Sequence, residues 1–491
     1  MSSLSPAKRE LLELRLKEGA GRAIAKQVTP LLDRGEAPAS FSQERLWFLH
    51  QVESDRAAYN VPRAIRLKGP LDVAALRRAL EEIVQRHDVL RTHFANVDGQ
   101  LRQLVTLQDI PLTVIDLGHL TSAEQEPQTK ALVAAEARQP FDLARGPVMR
   151  TTLLRLGEHD HVLLLTSHHI VSDGWSAEIL FRELSALYDA FADGKPSPLT
   201  PLPIQYADFA AWQRKWLQGT VLEEQLDYWK KQLSGVTGML ALPTDHPRPA
   251  VQTFRGANKS LVLPRPLSDQ VAEISRQHGV TSFMTQLAAF SVLLHRYTGQ
   301  DDVAVGSPIA GRNRQEFEGL IGFFLNTLVL RVDLTGNPRF SDLLKRVREV
   351  ALEAYAHQEL PFEKLVEELA PERTLSSSPL FQVMFSSHRA ARKYFSLRGL
   401  ELEHLPTASN TSKFDLSLFV WEEADDKSGG SVCTVEYNTD LFDESTIERL
   451  LQHYHRILET VVDNPDRRLS EISLFTSDQR NEILVSWNDT V

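Results

Sequence analysis

Apolar residues fall at helical spacing in some segments of this chain and gather in short runs in others. In residues 71–85, Val73, Leu76, Leu80, Ile83 and Val84 share one face of a helix. Residues 177–191 repeat the pattern with Ile179, Leu180, Leu184, Leu187 and Tyr188. Before and between them, residues 61–68, 101–107, 147–155 and 162–165 read as strands, being short, aliphatic and bounded by polar residues. Four prolines in 192–204 mark a surface crossing. The alternation then recurs: 254–263, 302–308, 380–386, 414–421 and 432–438 are strand candidates, and 267–277, 282–297, 340–355 and 445–458 are helix candidates. Strands alternating with helices predict an α/β protein. The pattern divides into a charged segment at 1–37, α/β units at 38–218 and 219–471, and a tail at 472–491.

The run Val162-Leu163-Leu164-Leu165 leads into His168-His169-Ile170-Val171-Ser172-Asp173-Gly174-Trp175. Successive strand side chains point to opposite faces. His168 is therefore expected to face inward as a packing residue, and His169 to face outward as the reactive imidazole. Gly174 favours a turn out of the strand, with Asp173 in that turn and a helix just after. Two histidines and an acid also suit a metal ion. Adjacent strand residues diverge, however, and no further ligand cluster lies close in sequence, so no metal is expected.

Residues 168–174 spell HHxxxDG, which resembles the signature of enzymes that move an acyl group from a thioester. Six further stretches resemble the motifs of condensation domains of nonribosomal peptide synthetases. They are Ser42 to Leu49, Arg86 to Thr92, Tyr206 to Trp212, Ile321 to Thr327, His357 to Glu363 and Arg373 to Leu380. With the His block they occur in order from 41 to 380. The DFGWG motif of plant acyltransferases is absent from the sequence. Epimerisation domains share the His block, but HQELPFE and SSSPLFQVMF look like condensation.

The resemblance implies two chloramphenicol-acetyltransferase-like α/β lobes forming a V-shaped pseudo-dimer, with the active site at their interface. It implies amide formation between a carrier-bound acyl or peptidyl thioester and the amine of a carrier-bound aminoacyl thioester. The substrates ride on phosphopantetheine arms of upstream and downstream carrier domains, and the domain itself binds no cofactor. A starter domain that N-acylates the first amino acid with a fatty acyl group is one alternative, and an inactive recruitment module is another. The candidate catalytic set is His168, His169, Asp173 and Gly174, with His169 the acid–base group. Gly174 would let an arm or oxyanion approach backbone N–H groups. Asp173 is expected to pair with Arg312 of the second lobe. Ser172, Trp175 and Asn326 are candidate channel-lining residues, although Trp175 and Trp212 also suit a core and Asn326 a turn cap.

Bulk properties narrow the picture. The 491 residues suit two units. The single cysteine, Cys433, sits in a strand-like stretch and excludes a disulfide framework. A net charge of −11 opposes nucleic-acid binding. No apolar run approaches the ~20 residues of a membrane span, and the N-terminus lacks signal-peptide character, so a cytoplasmic location is expected. Leu11, Leu12, Leu14 and Leu16 follow Ser5-Pro6 and read as a linker helix. Residues 483–490 resemble the linker into an adenylation domain. One departure stands out: where the family continues towards an Asn-containing stretch, this chain reads Ser386-Ser387-His388-Arg389-Ala390-Ala391-Arg392-Lys393.

Overall fold

The computed structural model describes residues 28–52, 57–107, 109–236, 239–369, 376–389, 396–407, 411–422 and 430–475. The helix expected around Leu11 to Leu16, Arg373, residues 390–393 and the tail at 483–490 lie outside the described residues. The strands of the first half are β1 (Glu36–Pro38), β2 (Asn60–Lys68), β3 (Thr92–Val97), β4 (Gln100–Val105), β5 (Leu112–Asp116), β6 (Met149–Arg155) and β7 (Asp160–His168). The second half supplies β8 (Gly256–Val262), β9 (Asp302–Ile309), β10 (Asn326–Asp333), β11 (Val383–Arg389), β12 (Glu401–Leu405), β13 (Leu416–Glu422) and β14 (Val432–Asn438).

They form sheets of order β1-β4-β3, β12-β2-β7-β6-β5 and β10-β9-β11-β13-β14-β8. The second and third are the sheets of the two expected lobes. β7 lies inside its sheet, between β2 and β6. Leu163 and Leu165 enter one core with residues of the helices Val73–Arg86 and Gly174–Ala192. Val162 and Leu164 enter another with Val133 of the helix Ser122–Arg138. Burial on both faces is why this strand reads as a continuous apolar run. In the second lobe, the helices Ser282–Thr298, Phe340–Ala356 and Glu444–Asp463 share one core with the strands β9, β10, β13 and β14.

Two features depart from the sequence pattern. β12 belongs to the second half of the chain but pairs antiparallel with β2, from Glu401 opposite Lys68 to Leu405 opposite Ala64. Phe317, Leu320, Ile321, Phe323 and Phe324 likewise lie in the core of the first lobe. The helix Phe41–Val52 is not marked by periodicity, because Ser42, Gln43 and His50 are buried alongside Leu46. Buried polar residues blur the amphipathic signal on which such readings depend.

Candidate active site

β7 ends at His168, a single helical turn His169–Val171 follows, and Asp173 caps the helix Gly174–Ala192. The helix starts three residues earlier than the apolar pattern suggests. The Asp173 carboxylate accepts from the Ser176 N–H at 2.8 Å and satisfies one of its free N-terminal donors. His168 is fully buried. Its Nδ1 accepts from the Ile170 N–H at 3.1 Å, and its ring stands edge-on to His50 and Phe141. Burial, then the neighbouring His50, pushes its pKa well below the usual imidazole value.

His169 has a different setting. Its backbone N–H donates to the Tyr59 carbonyl at 2.8 Å, and its Nδ1 lies 2.7 Å from the Ser172 carbonyl. A carbonyl only accepts, so Nδ1 carries the proton and Nε2 keeps its lone pair. No described residue bonds to Nε2. The ring meets the edge of Phe323 at 5.0 Å. Although the residue keeps partial solvent exposure, protein atoms crowd the ring. Burial, then the ammonium of Lys413, pushes its pKa down to about 3. Lys413 comes from the second half and stands 4.5 Å over the ring of Tyr59.

Asp173 is the hub between the lobes. Arg312 Nη2 lies 3.2 Å from Asp173 Oδ1 and 2.9 Å from Ser176 Oγ. Arg312 Nη1 donates to the Phe317 and Leu320 carbonyls at 2.5 and 2.7 Å. The Phe324 N–H donates to Asp173 Oδ2 at 3.0 Å, and the Gly322 N–H to Ser176 Oγ at 3.0 Å. Both Asp173 and Arg312 are buried. The guanidinium also stacks 4.0 Å over Phe324. Glycine is required twice in this loop region. A Cβ on Gly322 would stand 2.0 Å from the Tyr206 ring, and one on Gly311, at φ +63°, 2.0 Å from the Phe324 carbonyl oxygen.

A second clamp holds the same segment. His87 Nδ1 accepts from the Ile321 N–H at 3.3 Å, and Nε2 donates to Glu183 at 2.9 Å. Arg86 Nε donates to the other Glu183 oxygen at 2.9 Å. Burial opposes the Glu183 charge, but these donors outweigh it and hold its pKa below the usual value.

The three channel-lining candidates each make a defined contact. Ser172 is buried, and its backbone carbonyl, by orienting His169, is the part that matters. Trp175 is partly exposed, but its Nε1 donates to the Glu318 carbonyl at 3.1 Å and ties the helix start to the second half. Asn326 borders a small cavity with Ser42, Trp212 and Phe323. Its amide, however, donates to the Gln358 and Leu360 carbonyls at 3.0 and 2.8 Å and accepts from the Phe362 N–H at 3.0 Å. These bonds make it a clamp between β10 and the segment 358–362. Gly174 is exposed, and a Cβ there would meet open space. Sequence reasoning missed Ser176, Tyr59 and Lys413, and gave Phe323 no role although it lies within the Ile321 to Thr327 motif. Ser176 left a signal, three residues after a capping aspartate. The others are brought in by tertiary contacts.

A profile of the family described as Condensation domain matches residues 33–484. One component of the linear gramicidin synthase of Brevibacillus parabrevis is 50% identical over 467 residues, which cover 94% of this chain and 9% of that protein. Phosphinothricin tripeptide synthetase PhsC of Streptomyces viridochromogenes is 40% identical over 486 residues, 98% of this chain and 44% of that protein. The chain thus spans only a part of these relatives. Among solved structures, the X-domain in complex with OxyB from teicoplanin biosynthesis matches with a TM-score of 0.83 at 30% identity, over 93% of this chain and 99% of that one. The four-domain nonribosomal peptide synthetase holo-AB3403 shares the fold, with a TM-score of 0.81 at 23% identity over 93% of this chain and 35% of that one. With a family profile spanning nearly its whole length and synthetases among its relatives, the chain belongs to the condensation-domain family of nonribosomal peptide synthetases.

Proposed function

We propose that this domain joins a carrier-bound acyl or peptidyl thioester to the amine of a carrier-bound aminoacyl thioester. The nitrogen lone pair attacks the thioester carbonyl carbon, a C–N bond forms, and the carbonyl electron pair moves to oxygen. Collapse of that species breaks the C–S bond and expels the sulfur of the donor arm. One proton leaves the nitrogen and one is taken up by the departing thiolate. The thioester is already activated, so no protein nucleophile is needed.

The observation that carries the reading is His169, whose Nδ1–H is fixed on the Ser172 carbonyl and whose Nε2 is left as an acceptor. Nε2 is placed to take a hydrogen bond from the attacking amine. A base with a pKa of about 3 removes protons poorly from a resting ammonium. The N–H of the attacking nitrogen becomes acidic only as positive charge develops on that nitrogen. We therefore assign His169 to orienting the neutral amine and taking its proton in the tetrahedral species. Alignment of the two tethered reactants supplies the larger share, about 7–11 kcal/mol where geometry is ideal. Asp173 and Arg312 are positioning residues that hold the His loop. His168 packs, and Gly174 leaves room for an arm.

Upstream and downstream carrier domains and an adjacent adenylation domain are the proposed partners, reaching the site from two sides. The recruitment reading is disfavoured by the complete His block with its Nε2 unoccupied. The test is mass spectrometry of an acyl-loaded donor carrier mixed with an aminoacyl acceptor carrier. Acyl-aminoacyl product on the acceptor, dependent on this protein, is expected. Unchanged carriers across acyl, peptidyl and fatty-acyl donors overturn the reading.

A further inference from the structure

Arg63 carries a guanidinium crowded by protein atoms in the first lobe, within the electrostatic reach of Asp173. It lies on β2 opposite Leu165 of β7, so it projects from the sheet face that carries the helix Gly174–Ala192. Its Cζ stands 5.9 Å from the ring centroid of Phe181 on that helix. No hydrogen bond or ion pair to Arg63 is formed among the described residues. This is unlike the other deeply set arginines. Arg66, three residues along the same strand, is held by Asp160 at 2.9 and 2.7 Å and by Glu126. Arg150 is held by Glu136, Arg331 by Asp302 and Arg312 by Asp173.

The guanidinium carries five N–H donors in a planar fork. Burial, offset by the attraction of Asp173, pushes its pKa down to about 10, so it stays charged at neutral pH. Asp173 does not satisfy it. The Asp173 oxygens are taken by Arg312, Ser176 and the Phe324 N–H. Arg312 pairs with that carboxylate, whereas Arg63 feels it only through space and retains a partial opening to solvent. A partly desolvated cation with no counter-ion among the described residues, on the sheet face that carries the helix capped by Asp173, is a binding group for an oxyacid, which matches its fork bidentately.

We propose that Arg63 binds a carboxylate carried on the acyl or aminoacyl group of one of the two substrates, so that the domain prefers an acidic residue on that arm. This rests on the condensation reading given above. Two measurements separate the claims. The first is binding of succinyl-pantetheine and butyryl-pantetheine, neither of which carries a phosphate, followed by calorimetry. The wild-type protein should hold the succinyl probe at least tenfold tighter. Arg63→Met should abolish that preference, and Arg63→Lys should keep part of it. The second is condensation with aspartyl against asparaginyl groups on the donor and acceptor carriers in turn. Arg63→Met should lower kcat/KM at least tenfold for the aspartyl substrate on one arm and leave the asparaginyl one unchanged. The Tm of Arg63→Met should hold or rise, because an unpaired buried charge has been removed. Equal binding of both probes, equal losses with both substrates, or a Tm lowered by several degrees overturns the proposal. A succinyl preference lost in Arg63→Met, with no condensation by any carrier pair, supports the Arg63 site and counts against the reaction.

Discussion

At His169 two effects oppose one another. Crowding of the partly exposed ring by protein atoms makes the imidazole a weak base, and the Ser172 carbonyl makes it a well-oriented one. His169→Ala should lower condensation at least a hundredfold with an unchanged Tm, since a turn-edge imidazole contributes little packing. His168→Ala should instead cost on the order of 2–4 kcal/mol by chemical denaturation, the range for emptying a core site. Exchanged phenotypes would mean that the two side chains have swapped duties. The pH dependence follows from the direction of the shifts. Both histidines are depressed in the folded state, so between about pH 6.5 and the folded value the unfolded chain binds more protons. Their contribution is full above about pH 6.5 and is lost as pH falls through that window. For the fully buried His168 the slope is at most about 1.4 kcal/mol per pH unit. Replacing His168 by Phe should flatten the loss of stability measured from pH 7 to 5. Activity, by contrast, should show no inflection near 6.5 from His169. Its rise with pH should track the acceptor amine.

The elements matter through the contacts they hold in register. The helix Gly174–Ala192 begins on Asp173, and the same carboxylate receives Arg312 and the Phe324 N–H from the second half. Removing one partner of a buried pair leaves the other uncompensated, at about 3–5 kcal/mol. Arg312→Ala should therefore lose stability and activity together, and Asp173→Asn should do so to a smaller degree, because the amide still reaches Ser176. Intact Tm with lost turnover in both variants would assign the pair to the chemistry itself. Gly322→Ala tests the loop alone. The added methyl overlaps the Tyr206 ring, so the loop must shift and carry Phe323 off the His169 ring. Activity should fall more than tenfold, with circular dichroism unchanged.

Across the whole molecule, the two halves of the chain do not make two independent bodies. β12 completes the first sheet, and residues 317–324 enter the first core. A fragment ending at residue 218 would expose that core and the β2 edge. It should be insoluble or molten when expressed alone, and the full chain should melt in one calorimetric transition that includes both lobes. Separate transitions, or a soluble, cooperatively folded fragment, would show that the crossing contacts contribute little.

What the sequence by itself determined is what depends on local pattern. Two helices of the first lobe, Val73–Arg86 and Gly174–Ala192, and the strand β7 followed from periodicity, and the inward side chain of His168 from strand alternation, whereas His169 lies just past the strand in the turn His169–Val171. The motif order pointed to the family, and the partner of Asp173 came with that resemblance. The tertiary structure decided what depends on distant segments meeting. Periodicity carries no trace of β12 crossing to the first sheet, because one strand reads the same in either sheet. The carbonyl of Ser172, the edge of Phe323 and the ammonium of Lys413 act on His169 through space, and backbone groups have no sequence identity. Arg63 reads in the sequence as one more charged residue on a strand. Only the folded chain leaves it without a counter-ion among the described residues, because burial and pairing belong to the packed molecule.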